Sequence, residues 1–279
     1  MTRSDSLTLI LGGTGKTGRR IARILREANT PVRTAARSGA DVSFDWDDTA
    51  THANALLGVD RMYVVPPAFQ TDFASTVIGF IEQAKRAGVQ HFTYLSARGI
   101  EHAPDNVALR AVELHLLNED SPTFTILRPS FFMQNFTEGA FASALSTGTL
   151  ALPAGDGAEA FIDAYDIASV AAATLRDPSS HAGSQYELTG PAALTHAEVA
   201  RNLSASGHRV EYQPVSPADW IQQATSHGLP ADYAGFLAAL LSEIGEGNGA
   251  RPTGEVERIL GRPATALSEV VKREITAAG

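Results

Sequence analysis

The feature that most constrains the fold is a glycine-rich loop, Gly12–Gly18, near the start of the chain. Its glycines are spaced both as G-x-G-x-x-G and as G-x-x-G-x-x-G. The apolar run Leu7–Leu11 directly precedes the loop, and residues 16–28 carry apolar side chains at i, i+3, i+4 and i+7. The first pattern is typical of a strand covered on both faces, and the second indicates an amphipathic helix. Together they predict the opening of a βαβ unit.

The alternation of strand and helix patterns continues to about residue 130. Helical stretches between strands indicate crossover connections and therefore a parallel sheet. Gly88 is expected to end a helix, because glycine is common just beyond helix C-termini. We predict strands at 32–36, 61–65, 91–95 and 123–127, and helices at 49–57, 71–87 and 105–118.

The rhythm is looser beyond residue 130. We predict a helix at 167–175 with Asp166 as its N-cap, a strand at 185–188, and a mostly helical tail from Ser216. The predicted fold class is α/β, with a Rossmann-type doubly wound parallel sheet and a smaller, mostly helical C-terminal lobe. The sheet domain is expected in 1–150, completed by parts of 151–190, and a substrate-binding lobe in 191–279.

Composition excludes several functional classes. The net charge of −9 argues against a nucleic-acid or anionic-membrane surface. The absence of cysteine excludes disulfides, thiolate nucleophiles and cysteine-ligated zinc. We expect no metal site, because the histidines are scattered and no H-E-x-x-H motif occurs. No apolar run is long enough for a signal peptide or a membrane span, so we expect a cytoplasmic protein. We also expect a small-molecule substrate, and either a monomer or a homodimer.

The glycine loop predicts a dinucleotide site. Glycines allow a sharp turn and a close approach to a diphosphate, and the following helix offers N–H groups and a partial positive charge. At the end of the second strand, where NAD enzymes place a carboxylate, this chain has Arg37 and Ser38. Arginine can pair with the 2′-phosphate of NADP(H), which is therefore favoured over NAD(H). The alternatives are a ligand-free glycine turn and an Arg37 that is simply a solvated surface charge.

The usual proton donor of short-chain reductases is absent. These enzymes use Tyr-x-x-x-Lys, and none of the six tyrosines is followed by Lys four residues later. Tyr94 has Arg98 at that spacing, but it lies in a predicted strand and is interpreted as a core residue. Ser96, just beyond that strand, is either a cofactor-facing hydroxyl or a simple turn residue.

Two further segments leave strands at the edge where ligands bind in such sheets. Pro66 and Pro67 follow one strand, since proline cannot continue the ladder. Arg128 lies at the end of another and is either an anion-binding residue or a structural ion-pair partner. The side chains that can line an apolar substrate pocket, or alternatively fill the core, are Phe131, Phe132, Met133, Asn135, Trp220, Tyr233 and Phe236.

Several motifs resemble the NmrA-like atypical short-chain dehydrogenases/reductases, and most of all the branch that contains the ergot-alkaloid dehydrogenases. The resemblance covers nearly the whole chain. The motifs are G-G-T-G-K-T-G-R-R at 12–20, F-D-W-D at 44–47, V-V-P-P at 64–67, Y-L-S-A at 94–97, T-I-L-R-P at 125–129, L-T-G-P at 188–191 and G-R-P at 261–263.

The resemblance implies an NADP(H) site and a C-terminal substrate lobe. Many relatives carry Lys at the position of Arg110, three residues before Glu113. Arginine is a poor proton donor, which argues against a lysine-type proton relay in this chain. The two catalytic candidates are Ser96 and Arg110. By the family pattern, the phosphates meet Gly12, Thr14, Gly15, Lys16 and Thr17, the 2′-phosphate meets Arg37 and Ser38, the adenine meets Asp45 and Trp46, and the nicotinamide ribose meets Pro66 and Ser96.

A site without an evident proton donor suits acceptors that need none, such as an iminium ion. Quinones and enones also fit if water or a ribose hydroxyl supplies the proton. The leading hypothesis is an NADPH-dependent reductase of a small, largely apolar electrophile. The alternative is a non-catalytic NADP(H) sensor, because some members of the family that this chain resembles have that role.

Overall fold

A computed structural model describes residues 6–118, 122–139 and 141–275. The elements up to residue 129 are β1 (Leu7–Leu11), α1 (Gly18–Glu27), β2 (Val32–Ala36), β3 (Val42–Ser43), α2 (His52–Ala55), β4 (Val59–Val64), α3 (Ala74–Ala87), β5 (His91–Leu95), α4 (Ala108–Leu117) and β6 (Thr123–Pro129). Next come α5 (Ala144–Thr147), β7 (Thr149–Leu152), β8 (Ala158–Glu159), α6 (Ala164–Arg176), α7 (Pro178–His181) and β9 (Ser184–Leu188). The remaining elements are β10 (Leu194–Thr195), α8 (His196–Ser204), β11 (Glu211–Pro214), α9 (Pro217–Ser226), α10 (Ala231–Gly245), α11 (Glu255–Leu260) and α12 (Leu267–Glu274).

The central sheet has seven strands in the order β3-β2-β1-β4-β5-β6-β9, and all neighbouring strands are parallel. This confirms the predicted Rossmann-type doubly wound fold. The chain first winds outward from β1 to β2 and β3, and then returns to place β4 on the other side of β1. Ligands in such sheets bind at this switch point, outside the carboxyl ends of the strands.

Burial on both faces explains the continuous apolar run of β1. Leu9 and Leu11 are fully buried and pack in one cluster with Val77 and Phe80 of α3. On α1, the buried residues include Ile21 and Leu25, which confirms its predicted apolar face, and α1 packs against α6. A strand without a solvated face has no polar alternation, as its sequence shows.

Strand bounds follow the prediction closely, whereas helix starts differ. Gly88 ends α3 as expected, with a φ of 101° that favours glycine. The prediction that Asp166 is an N-cap is wrong, because α6 begins at Ala164 and Asp166 lies buried in its first turn. A carboxylate stabilises a helix from the cap and from the first turn alike, so an acidic residue does not identify the first helical residue.

The contacts divide the chain into two compact units. The first contains the residues up to Ala68, Asp72–Pro129 and Ala164–Leu188, and the second contains Phe69–Thr71, Ser130–Asp163 and the chain from Thr189. The predicted division at residue 150 differs from this grouping. After β6 the chain leaves the sheet, and the apolar residues that follow pack with the C-terminal helices in a second core.

The second unit combines helices with two small sheets. Strands β7 and β11 pair in parallel, and β8 and β10 pair antiparallel. Across the described parts of both units, none of the helices combines the length and apolarity that a bilayer crossing requires.

Candidate functional site

The glycine loop has a geometry that side chains would disrupt. Gly12 has a φ of 61°, and its carbonyl accepts from the Gly15 amide at 2.8 Å. A Cβ on Gly18 would overlap the Gly12 carbonyl, and a Cβ on Gly13 would lie 2.6 Å from Thr34 Cβ. Glycine at 12 therefore makes the turn, and glycine at 18 lets α1 approach it.

The start of α1 presents unused donors. Within residues 6–118, 122–139 and 141–275, the amides of Thr14, Thr17 and Gly18 donate to no protein acceptor. Thr14 and Gly15 are exposed, and the first turn of α1 carries no acidic side chain. Unpaired N–H groups at a helix start form a site for an anion.

The side chain of Thr17 has a different role from its amide. Its Oγ1 accepts from the Tyr63 hydroxyl at 2.9 Å, and both residues are buried. Burial raises the pKa of Tyr63 above its ordinary value. The tyrosine therefore stays neutral and holds the loop on β4.

The end of β2 leaves a guanidinium at the surface. Arg37 and Ser38 are exposed, and in the described part of the chain Arg37 has no hydrogen bond or ion pair. The nearby carboxylate of Asp41 accepts from the Thr34 amide and hydroxyl, both at 2.8 Å, and from Arg26. The Thr34 amide in particular holds the pKa of Asp41 below its ordinary value. This carboxylate is occupied, which leaves Arg37 available to an anion.

Asp45 and Trp46 lie in a turn after β3, and both are half-buried. Asp45 Oδ1 accepts from the Asp47 amide at 3.1 Å. Trp46 is half-buried, and its ring meets Phe44 and Phe80 edge-on, at centroid distances of 5.0 and 5.5 Å. Part of the indole is therefore accessible to solvent.

Pro66 and Ser96 lie at one edge of the sheet, because β4 and β5 pair with Val64 opposite Tyr94. Ser96 is buried, and its Oγ has no partner in the described structure. An unpaired buried hydroxyl is costly, so it points to a missing hydrogen-bonding group. Tyr94 is buried within β5, which confirms that it is a core residue, and burial raises its pKa.

Arg128 is a structural ion-pair partner, one of the two alternatives for this residue. Its Nε lies 2.9 Å from Glu113 Oε1, and its second terminal nitrogen lies 2.7 Å from Oε2. Arg110 pairs with the same carboxylate, at 3.3 Å from Oε2. Glu113 thus holds two guanidinium groups beside the β5–β6 edge.

In the second unit, the predicted pocket residues fall into three groups. Met133 and Trp220 are buried in the core. Phe131, which is half-buried, stacks on Phe141 at 6.2 Å, and Phe132 and Asn135 are also half-buried. Tyr233 and Phe236 lie on α10, where Phe236 is 36% exposed.

Sequence reasoning missed two residues of this unit. Phe69 is 56% exposed, and its ring meets that of Tyr233 edge-on at 5.4 Å. His196 is fully buried within 6.0 Å of the rings of Phe136, Phe161 and Tyr212, and in the described structure neither ring nitrogen has a partner. Burial lowers the pKa of His196 to about 4. Phe69 lies in no motif or periodic pattern that could have identified it. His196 does have such a signal, because it stands at i, i+3, i+4 and i+7 spacing with Val199, Ala200 and Leu203 on the buried face of α8.

A metal site has no support in the described residues, which contain no group of three or more acidic or histidine side chains placed to hold an ion.

The chain matches the NmrA-like family over residues 4–276. It is 33% identical to the NAD(P)H azoreductase of Xenophilus azovorans, covering 98% of this chain and 99% of the relative. It is also 33% identical to the agroclavine dehydrogenase of Claviceps fusiformis, covering 94% and 95%, which confirms the resemblance to the ergot-alkaloid branch. Among solved structures, the NADPH complex of the Escherichia coli quinone oxidoreductase QOR2 is 25% identical, with a TM-score of 0.78 and coverage of 95% and 99%. The chain therefore belongs to the NmrA-like family.

Proposed function

We propose that this protein is an NADPH-dependent reductase that transfers hydride to a small, largely apolar electrophile of the iminium, quinone or enone type. The relatives support the coarse activity, since their names describe an NAD(P)H azoreductase, an agroclavine dehydrogenase and an NADPH-dependent quinone oxidoreductase. The choice among acceptor types is our inference from the residues.

The observation that carries the proposal is the loop at the switch point. Unpaired amides at Thr14, Thr17 and Gly18 fit a diphosphate, with Gly12, Gly15 and Lys16 around it. A Cβ at Gly18 would overlap the Gly12 carbonyl, so the loop could not keep this geometry.

The remaining groups fit the rest of NADPH in turn. Arg37 and Ser38 would hold the 2′-phosphate, Asp45 and Trp46 the adenine, and Pro66 and Ser96 the nicotinamide ribose. The Ser96 hydroxyl then gains the hydrogen-bond partner that it lacks in the protein alone. When bound, NADPH would supply the hydride, and these residues would position its nicotinamide beside the acceptor atom.

The chemistry balances without a tyrosine–lysine pair. Addition of hydride to an iminium carbon forms a C–H bond, neutralises the nitrogen and leaves NADP⁺, so no proton is needed. A quinone or enone takes one proton in addition, from water or a ribose hydroxyl. Tyr94 is buried with a raised pKa, and Arg110 is held by Glu113, so neither is assigned as the donor.

Calorimetric titration with NADPH and NADH tests the cofactor half of the proposal. We expect tighter binding of NADPH, and Arg37→Ala should weaken it about tenfold or more because a charge-assisted pair to the 2′-phosphate is lost. Arg209→Ala is the matched control, since Arg209 is an exposed arginine paired with Glu211. Equal affinity of wild-type protein for the two cofactors would refute the role of Arg37.

Turnover tests the catalytic half. We expect oxidation of NADPH with at least one acceptor from a panel of cyclic imines, quinones and enones. Tight NADPH binding with no turnover across the panel would support the sensor alternative instead.

A further inference from the structure

Phe69 contributes little to the stability of the fold. Its backbone has a φ of 61°, a region that bulky side chains rarely adopt and that costs about 1–2 kcal/mol. Its ring is 56% exposed, so burial offsets only part of that cost. Strain of this kind is retained mainly where a residue serves a ligand.

Two contacts hold Phe69 on α10. Its ring lies against Tyr233, and the Thr71 hydroxyl donates to Asp232 Oδ2 at 3.2 Å. Tyr233 in turn lies 6.2 Å from Phe236. We call Phe69, Tyr233 and Phe236 the Phe69 cluster. It is a set of three touching rings, of which two are more than a third exposed.

Phe69 is close along the chain to Pro66, which is proposed to meet the nicotinamide ribose. Phe69 follows Pro66 by three residues. Three extended residues span at most about 11 Å. Phe69 and Pro66 therefore belong to one short segment of the chain.

The size of the cluster favours a small flat molecule over a protein partner. The exposed parts of Phe69, Phe236 and the adjacent Leu240 sum to about 260 Å², given side chains of about 200 Å² each. A stable protein interface needs about 800 Å² from each partner. Aromatic faces and edges bind other ring systems with an additional preference over aliphatic groups.

We propose that the Phe69 cluster clamps the ring system of a planar aromatic acceptor, and that Phe69 sets the preference for such acceptors over small aliphatic ones. This inference rests on the proposed reductase function. Thr71 is a positioning residue, which acts by keeping the segment 69–71 on α10.

The test uses 9,10-phenanthrenequinone as a planar probe and 2-cyclohexenone as a small comparator, titrated with and without saturating NADP⁺. Phe69→Gly removes the ring but suits the left-handed backbone, so the fold should be retained. We expect it to lower affinity for the planar probe about tenfold and to leave affinity for cyclohexenone and NADP⁺ unchanged. Phe69→Tyr should bind the planar probe like wild type, and Thr71→Val should lower its affinity about threefold.

Leu57→Ala is the matched control, because Leu57 is 63% exposed and lies outside the cluster. It should bind both probes like wild type. Phe69→Leu separates ring stacking from apolar area, and we expect it to lose most of the affinity for the planar probe.

Equal affinity of wild type and Phe69→Gly for phenanthrenequinone would overturn the clamp. So would a wild-type protein that fails to bind it, or full retention of affinity in Phe69→Leu. The titration without dinucleotide measures the clamp separately. Loss of NADP⁺ binding alone would therefore count against the proposed function and not against the Phe69 cluster.

Discussion

The two units present their candidate binding groups in different ways. In the first unit, the groups are backbone amides and strand-end residues, placed by a hydrogen-bonded parallel sheet. In the second, they are aromatic side chains on α10 and on connecting segments. Backbone geometry repeats wherever its local pattern occurs, whereas an aromatic surface depends on which side chains happen to meet. We therefore expect cofactor affinity to depend on the backbone of the first unit, and acceptor preference to depend on individual side chains of the second.

The units also differ in how they bury a carboxylate. Glu113 in the first unit and Asp163 in the second are both inaccessible, and each accepts two hydrogen bonds from one arginine. The side chain of Arg128 is only 10% exposed, whereas that of Arg273 is 42% exposed. Replacement of Glu113 would therefore leave the charge of Arg128 buried, whereas replacement of Asp163 would leave the charge of Arg273 partly exposed to water.

The largest expected effect follows from this difference. Glu113→Gln should lower the free energy of unfolding by about 3–5 kcal/mol, because Arg128 remains buried without its closest counter-charge, and Glu101 Oε2 lies farther away, at 3.6 Å. Asp163→Asn should cost only about 1–2 kcal/mol, since water can solvate Arg273. Urea denaturation of the two variants measures both. Equal losses would show that exposure of the arginine does not decide the cost.

The glycine loop gives the next effect. Gly18→Ala should destabilise the protein by about 1–3 kcal/mol and reduce NADPH affinity about 100-fold, because its Cβ would displace the Gly12 carbonyl. Gly79→Ala is the matched control, since Gly79 lies within α3 with no heavy atom near its added Cβ. It should stabilise the protein by about 0.5–1 kcal/mol. Calorimetry and thermal denaturation report the two quantities, and normal NADPH affinity in Gly18→Ala would contradict the loop assignment.

A pH effect compares one buried histidine in each unit. Burial lowers the pKa of both His91 and His196 to about 4. Each is neutral in the folded state, so its contribution is complete above its unfolded pKa of about 6.5 and is lost as the pH falls toward 4. At pH 5, the lowered pKa of each histidine should reduce the free energy of unfolding by about 2 kcal/mol relative to neutral and higher pH.

Replacement with leucine should separate the two histidines. His91→Leu should destabilise at pH 7, because His91 Nδ1 bonds Thr123 Oγ1 at 2.8 Å. His196→Leu should be neutral or stabilising at pH 7, since no described group forms a hydrogen bond with either ring nitrogen of His196. In both variants, the free energy of unfolding measured by urea denaturation should fall less between pH 7 and pH 5 than it does in the wild type. The control is His208→Leu, because His208 is exposed. An unchanged slope in His196→Leu would contradict its burial as a neutral ring.

Prediction from the sequence succeeded where local pattern and structure coincide. Strand bounds at Leu7–Leu11 and His91–Leu95 were reproduced, because a short apolar run between turn signals leaves few alternatives. The core position of Tyr94 followed from the same logic. The N-cap at Asp166 was wrong, since the acidic signal does not distinguish a cap from a first turn.

The pocket residues show where such reasoning ends. Met133, Trp220 and Phe236 are all large apolar side chains, yet Met133 and Trp220 are buried and Phe236 is exposed. Phe69 carries no periodic pattern, and its contact with Tyr233 joins positions far apart in the chain. Periodicity reports which face of an element is apolar, but not which distant segment covers it.

Local sequence was sufficient for the parallel sheet, the glycine turn and the arginine at the end of β2, because each depends on neighbours within one βαβ unit. Long-range packing settled the rest: the transfer of residues 130–163 to the second unit, the pairing of Arg128 with Glu113, and the exposed rings around Phe69. Such contacts join residues whose separation along the chain carries no repeating signal, so their energies are expressed only in the folded protein.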